Sequence, residues 1–372
     1  MRIHGSVVAL ALGTCILTSG QERPRARDFG ITPGAGSPGT LNAITDVPGV
    51  RVGHTTLSSG DTIRTGVTAI VPHGGNLFRE KVAGAVFVGN AFGKLAGSTQ
   101  VQELGTIESP ILLTNTLGVG TAVEAVVRWT LAQPGNENVR SVNALVGETN
   151  DGSLNDIRAL PVAREHVIAA ITGAQEGPVQ EGAVGAGTGT VAFGWKGGIG
   201  TSSRIVQQGS DRYTVGVLVQ SNFGGRLTIA GVPVWRELSP RGERGASPSA
   251  DGSCMIVLAT DAPIDARDLE RLAARGIFAM ARVGSTFSNG SGDFAIAFST
   301  HPSLRVTQTT GPQQRTVLST DSISGLFEAA MDATEEALYN SMLRATDVTG
   351  NGRTVRALPI DDLRAILKKY GR

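Results

Sequence analysis

The first candidate for chemistry is a serine with no histidine close to it in the sequence. Ser253 follows Gly252 where a polar segment meets the apolar run 254–259. A serine at the start of its chain can use its own α-amine as general base, because that amine has a pKa of about 7.7–8.0. Cleavage of the Gly252-Ser253 bond would expose Ser253 as an N-terminal nucleophile of this kind.

The segment before this bond has the composition of a linker. Residues 237–252 read ELSPRGERGASPSADG, with proline, glycine, serine and charges but no apolar anchor. Glycine at 252 tolerates strained backbone angles, so the Ser253 hydroxyl can attack the Gly252 carbonyl and form an ester that water hydrolyses. The alternative is that Ser253 simply begins a strand after a long loop.

Other hydrolytic or cofactor-binding motifs are absent from the sequence. The five histidines show no metal-ligand spacing, and the chain has no HExxH, no G-x-S-x-G and no P-loop pattern. The glycine-rich stretch 182–204 lacks the acidic residue about 20 positions further on that dinucleotide binding requires. We expect neither a metal nor an organic cofactor.

Three further polar residues are candidates for the same site. Asn222 follows the apolar run 213–219, and its amide N–H groups suit the stabilisation of an oxyanion. Ser291 and Asp293 lie in the motif SNGSGD, where a hydroxyl and a carboxylate can hold an ammonium group or relay a proton. Without other information, Asn222 is equally a turn residue and SNGSGD equally a tight turn.

The motif GETNDGSLND forms a second polar cluster, which follows the apolar run 142–146. It carries the carboxylates Glu148, Asp151 and Asp156 together with Asn150 and Asn155. Carboxylates in this number suit the recognition of a substrate ammonium group. The alternative is a solvated loop with Asx turns.

Composition limits the class of protein. The chain has 372 residues, 40% hydrophobic and 17% charged, with a formal net charge of +1. This is enough apolar material for one large domain or two ordinary ones, and no basic block indicates binding to nucleic acid. Glycine is enriched, at 50 residues without a collagen-like period, which predicts tight turns and close backbone approaches.

The N-terminus has the outline of a secretory signal peptide over residues 1–20. Arg2 and His4 precede an apolar stretch at 7–17, and small residues at 18–20 suit cleavage. The stretch is too short to span a bilayer, and the alternative is a buried helix. Cys15 raises the question of lipidation, which Thr14 beside it argues against. After signal removal Cys254 is the only cysteine, so no intrachain disulfide forms. We expect a periplasmic or secreted protein that does not contact the membrane.

Apolar runs along the chain predict alternating strands and helices, and hence a layered α/β fold. We predict strands at 67–71, 85–88, 111–114, 142–146, 167–171, 190–193, 213–219, 254–259 and 294–298. Apolar residues at helical spacing predict helices at 121–131, 265–282, 322–344 and 359–369.

Several motifs, in order along the chain, resemble the L-aminopeptidase/D-esterase family, which includes the β-aminopeptidases. They include ITDVPGVRVGH, GETNDGSLNDIR, VLVQSNFG, GSCMIVLATDAP and SNGSGDFAIAFST. The resemblance implies a four-layer αββα sandwich, with the layering of N-terminal-nucleophile hydrolases but different connectivity. It also implies self-cleavage at Gly252-Ser253 into a large subunit, 21–252, and a small subunit, 253–372, that together form one domain.

The resemblance also implies roles for individual residues. Ser253 matches the family nucleophile, Asn222 an oxyanion-hole amide, and Ser291 and Asp293 the polar pair near the nucleophile. Some relatives carry glutamate at the position of Asp293 and an aromatic residue, often tyrosine, at that of Ser153. The exchange at Ser153 predicts a wider pocket, whose substrate-binding residues we expect to be Glu148, Asn150 and Ser153.

The sequence therefore predicts a self-cleaving serine aminopeptidase that acts on short peptides, amino-acid amides or esters. Relatives assemble from processed heterodimers, so we expect a homo-oligomer of α/β units. One alternative is an acyltransferase on the same fold, against which Ser253 argues because such enzymes typically use threonine. The other is a non-catalytic periplasmic binding protein that is never cut.

Overall fold

A computed structural model describes residues 23–240, 252–307 and 310–372. The predicted signal peptide with Cys15 and most of the predicted linker, at 241–251, lie outside the described residues. The strands are β1 Arg51–Ser59, β2 Ile63–Val71, β3 Glu80–Ala91, β4 Leu95–Ala96, β5 Thr106–Ile107, β6 Ile111–Asn115, β7 Leu145–Thr149, β8 Val191–Ala192, β9 Trp195–Lys196, β10 Gly198–Gln208, β11 Asp211–Asn222, β12 Ser253–Thr260, β13 Gly292–Ser299, β14 Val306–Thr307, β15 Val348–Gly350 and β16 Arg353–Val355. The α-helices are α1 Ser98–Leu104, α2 Val119–Leu131, α3 Arg164–Thr172, α4 Val234–Glu237, α5 Ala266–Arg282, α6 Ser324–Leu343 and α7 Ile360–Lys369.

Two large mixed sheets form the centre of the molecule. The first has the strand order β1-β2-β6-β7-β4, and the second has the order β10-β11-β12-β13-β3-β14, with β5 also paired to β3. Strand β12 lies inside the second sheet, antiparallel to β11 and parallel to β13. A parallel pair needs a crossover connection, and α5 lies between these two strands in the chain.

Successive side chains of β12 pack into two different apolar cores, one on each face of the second sheet. Met255 and Val257 belong to the core between the sheets, where Leu113 and Leu145 of the first sheet meet them. The intervening Ile256 and the other side chains of its face belong to a second core, formed with helices α5 and α6. A strand covered on both faces has no polar face, which is why its sequence is a continuous apolar run.

Helices cover the outer face of each sheet. The apolar face of α2, with Ala122 and Val126, packs with α3 on the first sheet. Helices α5 and α6 pack against each other and cover the second sheet. The four-layer αββα sandwich predicted from the resemblance is confirmed. None of the helices among the described residues is both long and apolar enough to cross a membrane.

The predicted strand at 167–171 is wrong, because these residues lie in helix α3. Val167, Ala170 and Ile171 are its buried residues, at the i, i+3 and i+4 spacing of one helix face. A five-residue apolar run fits a strand or a helix equally well. Here helix α3 begins at Arg164, before the run, and continues through it. The run at 142–146 was also placed too early, since β7 begins at Leu145.

Strand β10 was missed because its sequence, GIGTSSRIVQQ, is rich in small and polar residues. It is nevertheless almost entirely buried, because α6 lies directly on it. A Cβ atom added at Gly200 would lie 2.0 Å from the carbonyl oxygen of Ala337 in that helix. The contact between strand and helix therefore requires glycine at position 200.

We predict that Gly200→Ala lowers the free energy of unfolding by about 3 kcal/mol or more, because the added methyl group forces the helix backbone away from the strand. Gly120→Ala is the control, since a Cβ atom at this position of α2 meets nothing within 4 Å. Alanine favours a helix over glycine by up to about 1 kcal/mol, so the control stays as stable or gains stability. Chemical denaturation of both variants measures the difference, and equal stability would contradict the proposed contact.

Candidate active site

Ser253 is the first residue of β12, and the strands on either side meet it in register. It pairs with Asn222, the last residue of β11, and with Gly292, the first residue of β13. The Ser253 hydroxyl donates a hydrogen bond to the Gly252 carbonyl oxygen at 2.7 Å. The nucleophile predicted from the sequence therefore lies against the bond that is predicted to be cut.

Gly252 and Gly292 both place backbone groups close to the Ser253 hydroxyl. A Cβ atom at Gly252 would lie 2.3 Å from the backbone oxygen of Asn222 and 2.6 Å from the Cα atom of Phe223, so no side chain fits there. The backbone N–H of Gly292 donates to the Gly252 carbonyl oxygen at 3.1 Å and approaches Ser253 Oγ at 3.4 Å. This N–H group polarises the carbonyl that the hydroxyl would attack.

Asn222 is buried, and its carboxamide is held at both ends. The backbone N–H of Val191 donates to Oδ1 at 2.8 Å, and Nδ2 donates to the carbonyl oxygen of Asn150 at 3.1 Å. A backbone N–H can only donate, so the atom facing Val191 is the oxygen. One N–H of Nδ2 therefore remains for a group in the cavity beside Ser253, as an oxyanion donor requires.

Ser291 and Asp293 are both buried, on either side of Gly292. The Ser291 hydroxyl donates to Asp293 Oδ1 at 2.9 Å, while Oδ2 has no hydrogen-bond partner among the described residues. Burial raises the pKa of Asp293 to about 6, although the hydrogen bonds from Ser291 and the Cys254 backbone oppose this effect. The pair flanks Gly292, the residue that pairs with Ser253, and does not line the cavity.

A cavity of about 380 Å³ opens in front of Ser253. Its wall includes Asn222 together with the three residues predicted to bind substrate, Glu148, Asn150 and Ser153. The other lining residues are Phe92, Lys94, Thr116, Val191, Gly194, Phe223, Gly224, Gly252, Gly290, Arg353 and Val355. The fold thus brings polar groups from several distant segments of the chain to one concave surface, as enzyme sites require.

Glu148 supplies a buried carboxylate to this cavity, with a side-chain exposure of 2%. Oε1 accepts from the backbone N–H of Lys94 at 3.0 Å, and Oε2 accepts from the Thr116 hydroxyl. Burial raises the pKa of Glu148, and the two hydrogen bonds and the Lys94 charge counteract it. The Lys94 ammonium lies 3.9 Å from Oε1, so the carboxylate already has a cation beside it.

The remaining residues of the polar cluster separate into two groups. Asn150 and Ser153 are exposed and line the cavity. Asp151 and Asn155 are buried and bond to each other at 3.0 Å, away from the cavity lining. Ser153 contributes only a short side chain to the wall, and the wider pocket expected from this residue stays a prediction.

Sequence reasoning missed several cavity residues, because none of them lies in a motif with recognisable chemistry. Lys94 and Phe92 follow β3, Thr116 follows β6, and Arg353 begins β16 near the C-terminus. Phe92 is 66% exposed, which is unusual for a large apolar side chain. Phe92, Lys94 and Thr116 reach the cavity because the strands before them end there, whereas Arg353 reaches it from the start of β16. Within the described ranges, no group of three or more histidine, cysteine or acidic residues is arranged to hold a metal ion.

Comparison with known proteins identifies the family. The chain matches the model of peptidase family S58 over residues 42–355. It is 44% identical to beta-peptidyl aminopeptidase BapA of Sphingosinicella microcystinivorans, over 94% of this chain and 93% of that protein.

Two solved structures have the same fold. A beta-aminopeptidase of Burkholderia sp. superposes with a TM-score of 0.86 at 39% identity, covering 94% of this chain and 99% of that one. The L-aminopeptidase D-Ala-esterase/amidase of Ochrobactrum anthropi, described as a prototype of the serine aminopeptidases and a variant of the Ntn hydrolase fold, superposes with a TM-score of 0.87 at 38% identity, with the same coverage. The chain belongs to peptidase family S58.

Proposed function

We propose that this protein is a self-cleaving serine aminopeptidase whose nucleophile is Ser253. The observation that carries the proposal is the position of the Ser253 hydroxyl, 2.7 Å from the Gly252 carbonyl oxygen and at the wall of the cavity. The same hydroxyl can therefore act first on its own backbone and then on a substrate.

Self-cleavage would begin when Ser253 Oγ attacks the carbonyl carbon of Gly252. The C–N bond breaks, its nitrogen takes the hydroxyl proton and becomes the α-amine of Ser253, and Gly252 is held as an ester on Oγ. Water then hydrolyses the ester and leaves a carboxylate on Gly252. The Gly292 N–H, 3.1 Å from the Gly252 carbonyl oxygen, supports the charge that develops there.

The catalytic cycle would repeat this chemistry on a bound substrate. The neutral α-amine of Ser253 takes the hydroxyl proton while Oγ attacks the scissile carbonyl. The amide of Asn222 and the N–H of Gly292 donate to the oxyanion. The proton passes to the leaving amine or alcohol, and water attacks the acyl-serine to release the acid and restore the hydroxyl. Asp293, through Ser291, would stabilise the positive charge that the α-amine carries in this step.

Glu148 would bind the free ammonium group of the substrate, because it is a buried carboxylate in the cavity wall and the Lys94 ammonium beside it is 56% exposed. The substrates are therefore short peptides, amino-acid amides or esters with a free amino group. The named relatives act on β-peptides or as an L-aminopeptidase and D-Ala-esterase, and the space left by Ser153 suits residues of either backbone length.

Ser253→Ala tests the proposed function directly. Without the hydroxyl, we expect a chain that stays uncut at 252–253 and shows no hydrolysis above background. Cys254→Ala is the matched control, because the adjacent thiol is fully buried among apolar side chains and burial raises its pKa. The wild-type chain should release a fragment that begins Ser-Cys-Met-Ile, and the control should release one that begins Ser-Ala-Met-Ile. Electrophoresis shows whether the chain is cut, and N-terminal sequencing identifies the new terminus. An active preparation that consists only of intact chain would refute self-cleavage.

Glu148→Gln should raise KM for aminoacyl amides about 10- to 100-fold with a smaller change in kcat, because the ammonium loses its charged partner. Glu108→Gln is a control at another buried carboxylate, which pairs with Lys81 at 2.6 Å away from this cavity. Steady-state kinetics on L-aminoacyl and β-aminoacyl amides measure both variants. An unchanged KM for Glu148→Gln would remove it from ammonium recognition.

The pH profile tests the role of Asp293. A carboxylate near the α-amine of Ser253 favours the ammonium form and raises its pKa, so activity falls on the acid side as the base becomes protonated. Asp293→Asn removes this charge, and the acid limb of kcat/KM should move to lower pH by about one unit with a lower plateau. Asp156→Asn, whose side chain lies outside the cavity lining, should leave the limb in place. If the limb of Asp293→Asn does not move, the carboxylate does not act on the amine.

A further inference from the structure

A fully buried lysine closes the segment that lies against Asn222. The side chain of Lys196 has no exposed surface, and its ammonium donates to three backbone carbonyls, those of Gly187 at 2.8 Å, Thr190 at 2.9 Å and Gly197 at 2.9 Å. Three carbonyl acceptors require three N–H donors, which only the charged form of lysine supplies. The ammonium thus holds residues 187–197 in a closed loop.

This loop is what orients the Asn222 amide. The N–H of Val191 donates to Asn222 Oδ1 at 2.8 Å, and two residues later the N–H of Phe193 donates to the carbonyl oxygen of Phe223 at 2.8 Å. The rings of Phe193 and Phe223 also pack edge to face, with centroids 5.0 Å apart. The loop therefore contacts residues 222 and 223 through two backbone donors and one aromatic pair.

The opposite end of the amide lies next to a buried carboxylate that interacts electrostatically with the same lysine. Nδ2 of Asn222 donates to the carbonyl oxygen of Asn150, the residue before the buried Asp151. A Cβ atom at Gly189 would lie 2.9 Å from the Cβ atom of Asp151, so the loop backbone packs on this side chain. Burial lowers the pKa of Lys196 to about 7, and the Asp151 charge counteracts this effect. The two buried charges therefore stabilise each other.

We infer that Lys196 is a positioning residue for the reaction. Its ammonium fixes the loop that aims Asn222 Nδ2 at the oxyanion, and Asp151 supplies the opposing charge on the other side of the amide. This inference rests on the proposed function, because it assigns Asn222 the oxyanion role. Lys196 itself does not line the cavity, so it acts on the oxyanion only through Asn222.

Lys196→Met replaces the ammonium with an uncharged side chain of similar length. Once the oxyanion donor is no longer held in place, kcat per active site should fall about 10- to 100-fold while KM changes less than about threefold. Active sites are counted by titration with an acylating reagent, so a lower yield of processed chain does not alter the result. Lys81→Met is the control, because this lysine also donates to a backbone carbonyl, that of Phe78, but it bonds the Glu108 carboxylate and lines a different cavity. Its kcat should be unchanged.

A double-mutant cycle distinguishes positioning from general support of the fold. In an Asn222→Ala background the donor is already missing, so Lys196→Met should lower kcat by less than about twofold further. A further loss as large as in the wild-type background, or an effect confined to KM, would overturn the inference. If Lys196→Met does not fold, Asp151→Asn is tested in the same cycle, with the same expectation of non-additivity. A chain that shows no Ser253-dependent hydrolysis at all contradicts the proposed function instead.

Discussion

The site depends on one constraint, the register in which β12 lies between β11 and β13. This register sets Ser253 opposite Asn222 on one side and Gly292 on the other, so the hydroxyl has an amide donor and a backbone donor beside it. A shift of one residue would turn every side chain of β12 to the opposite face, and would exchange those that pack between the sheets with those that pack under α5 and α6. Glycine at 252 is required by the same packing, because the backbone of Asn222 leaves no space for a side chain.

The charges of the site are arranged by burial as much as by pairing. Glu148 faces the cavity, Asp293 lies next to Gly292, which pairs with Ser253, and Lys196 and Asp151 lie on either side of the Asn222 amide. Each of these groups has a pKa displaced by the loss of water around it. Displaced pKa values that cluster around a nucleophile are typical of an active site.

Sequence reasoning performed best where chemistry and periodicity coincide. It placed Ser253, Asn222, Ser291 and Asp293 before their contacts were known, and the structure brings them to adjacent strand ends. Sequence reasoning was less accurate where a segment is buried although its residues are polar, or where an apolar segment fits two kinds of element. Strand β10 is not predicted, because its buried residues are small and polar. The predicted strand at 167–171 is a helix, because a short apolar run fits the spacing of a helix as well as that of a strand. Local pattern carries no information on which neighbour will cover a segment.

The sequence by itself determined the family resemblance and the layered α/β class, and it predicted a nucleophile at the Gly252-Ser253 junction, because these depend on residue type and local order. Only the tertiary structure decided which polar residues share the cavity. Lys94, Thr116 and Arg353 reach it from three distant segments, while Asp151, in the middle of the polar motif, turns away from it. The role inferred for Lys196 depends on its three carbonyl partners and on the contact of their loop with Asn222, which only the structure shows. The physical reason is that strand pairing and sheet stacking bring distant residues together, and no sequence spacing records these contacts.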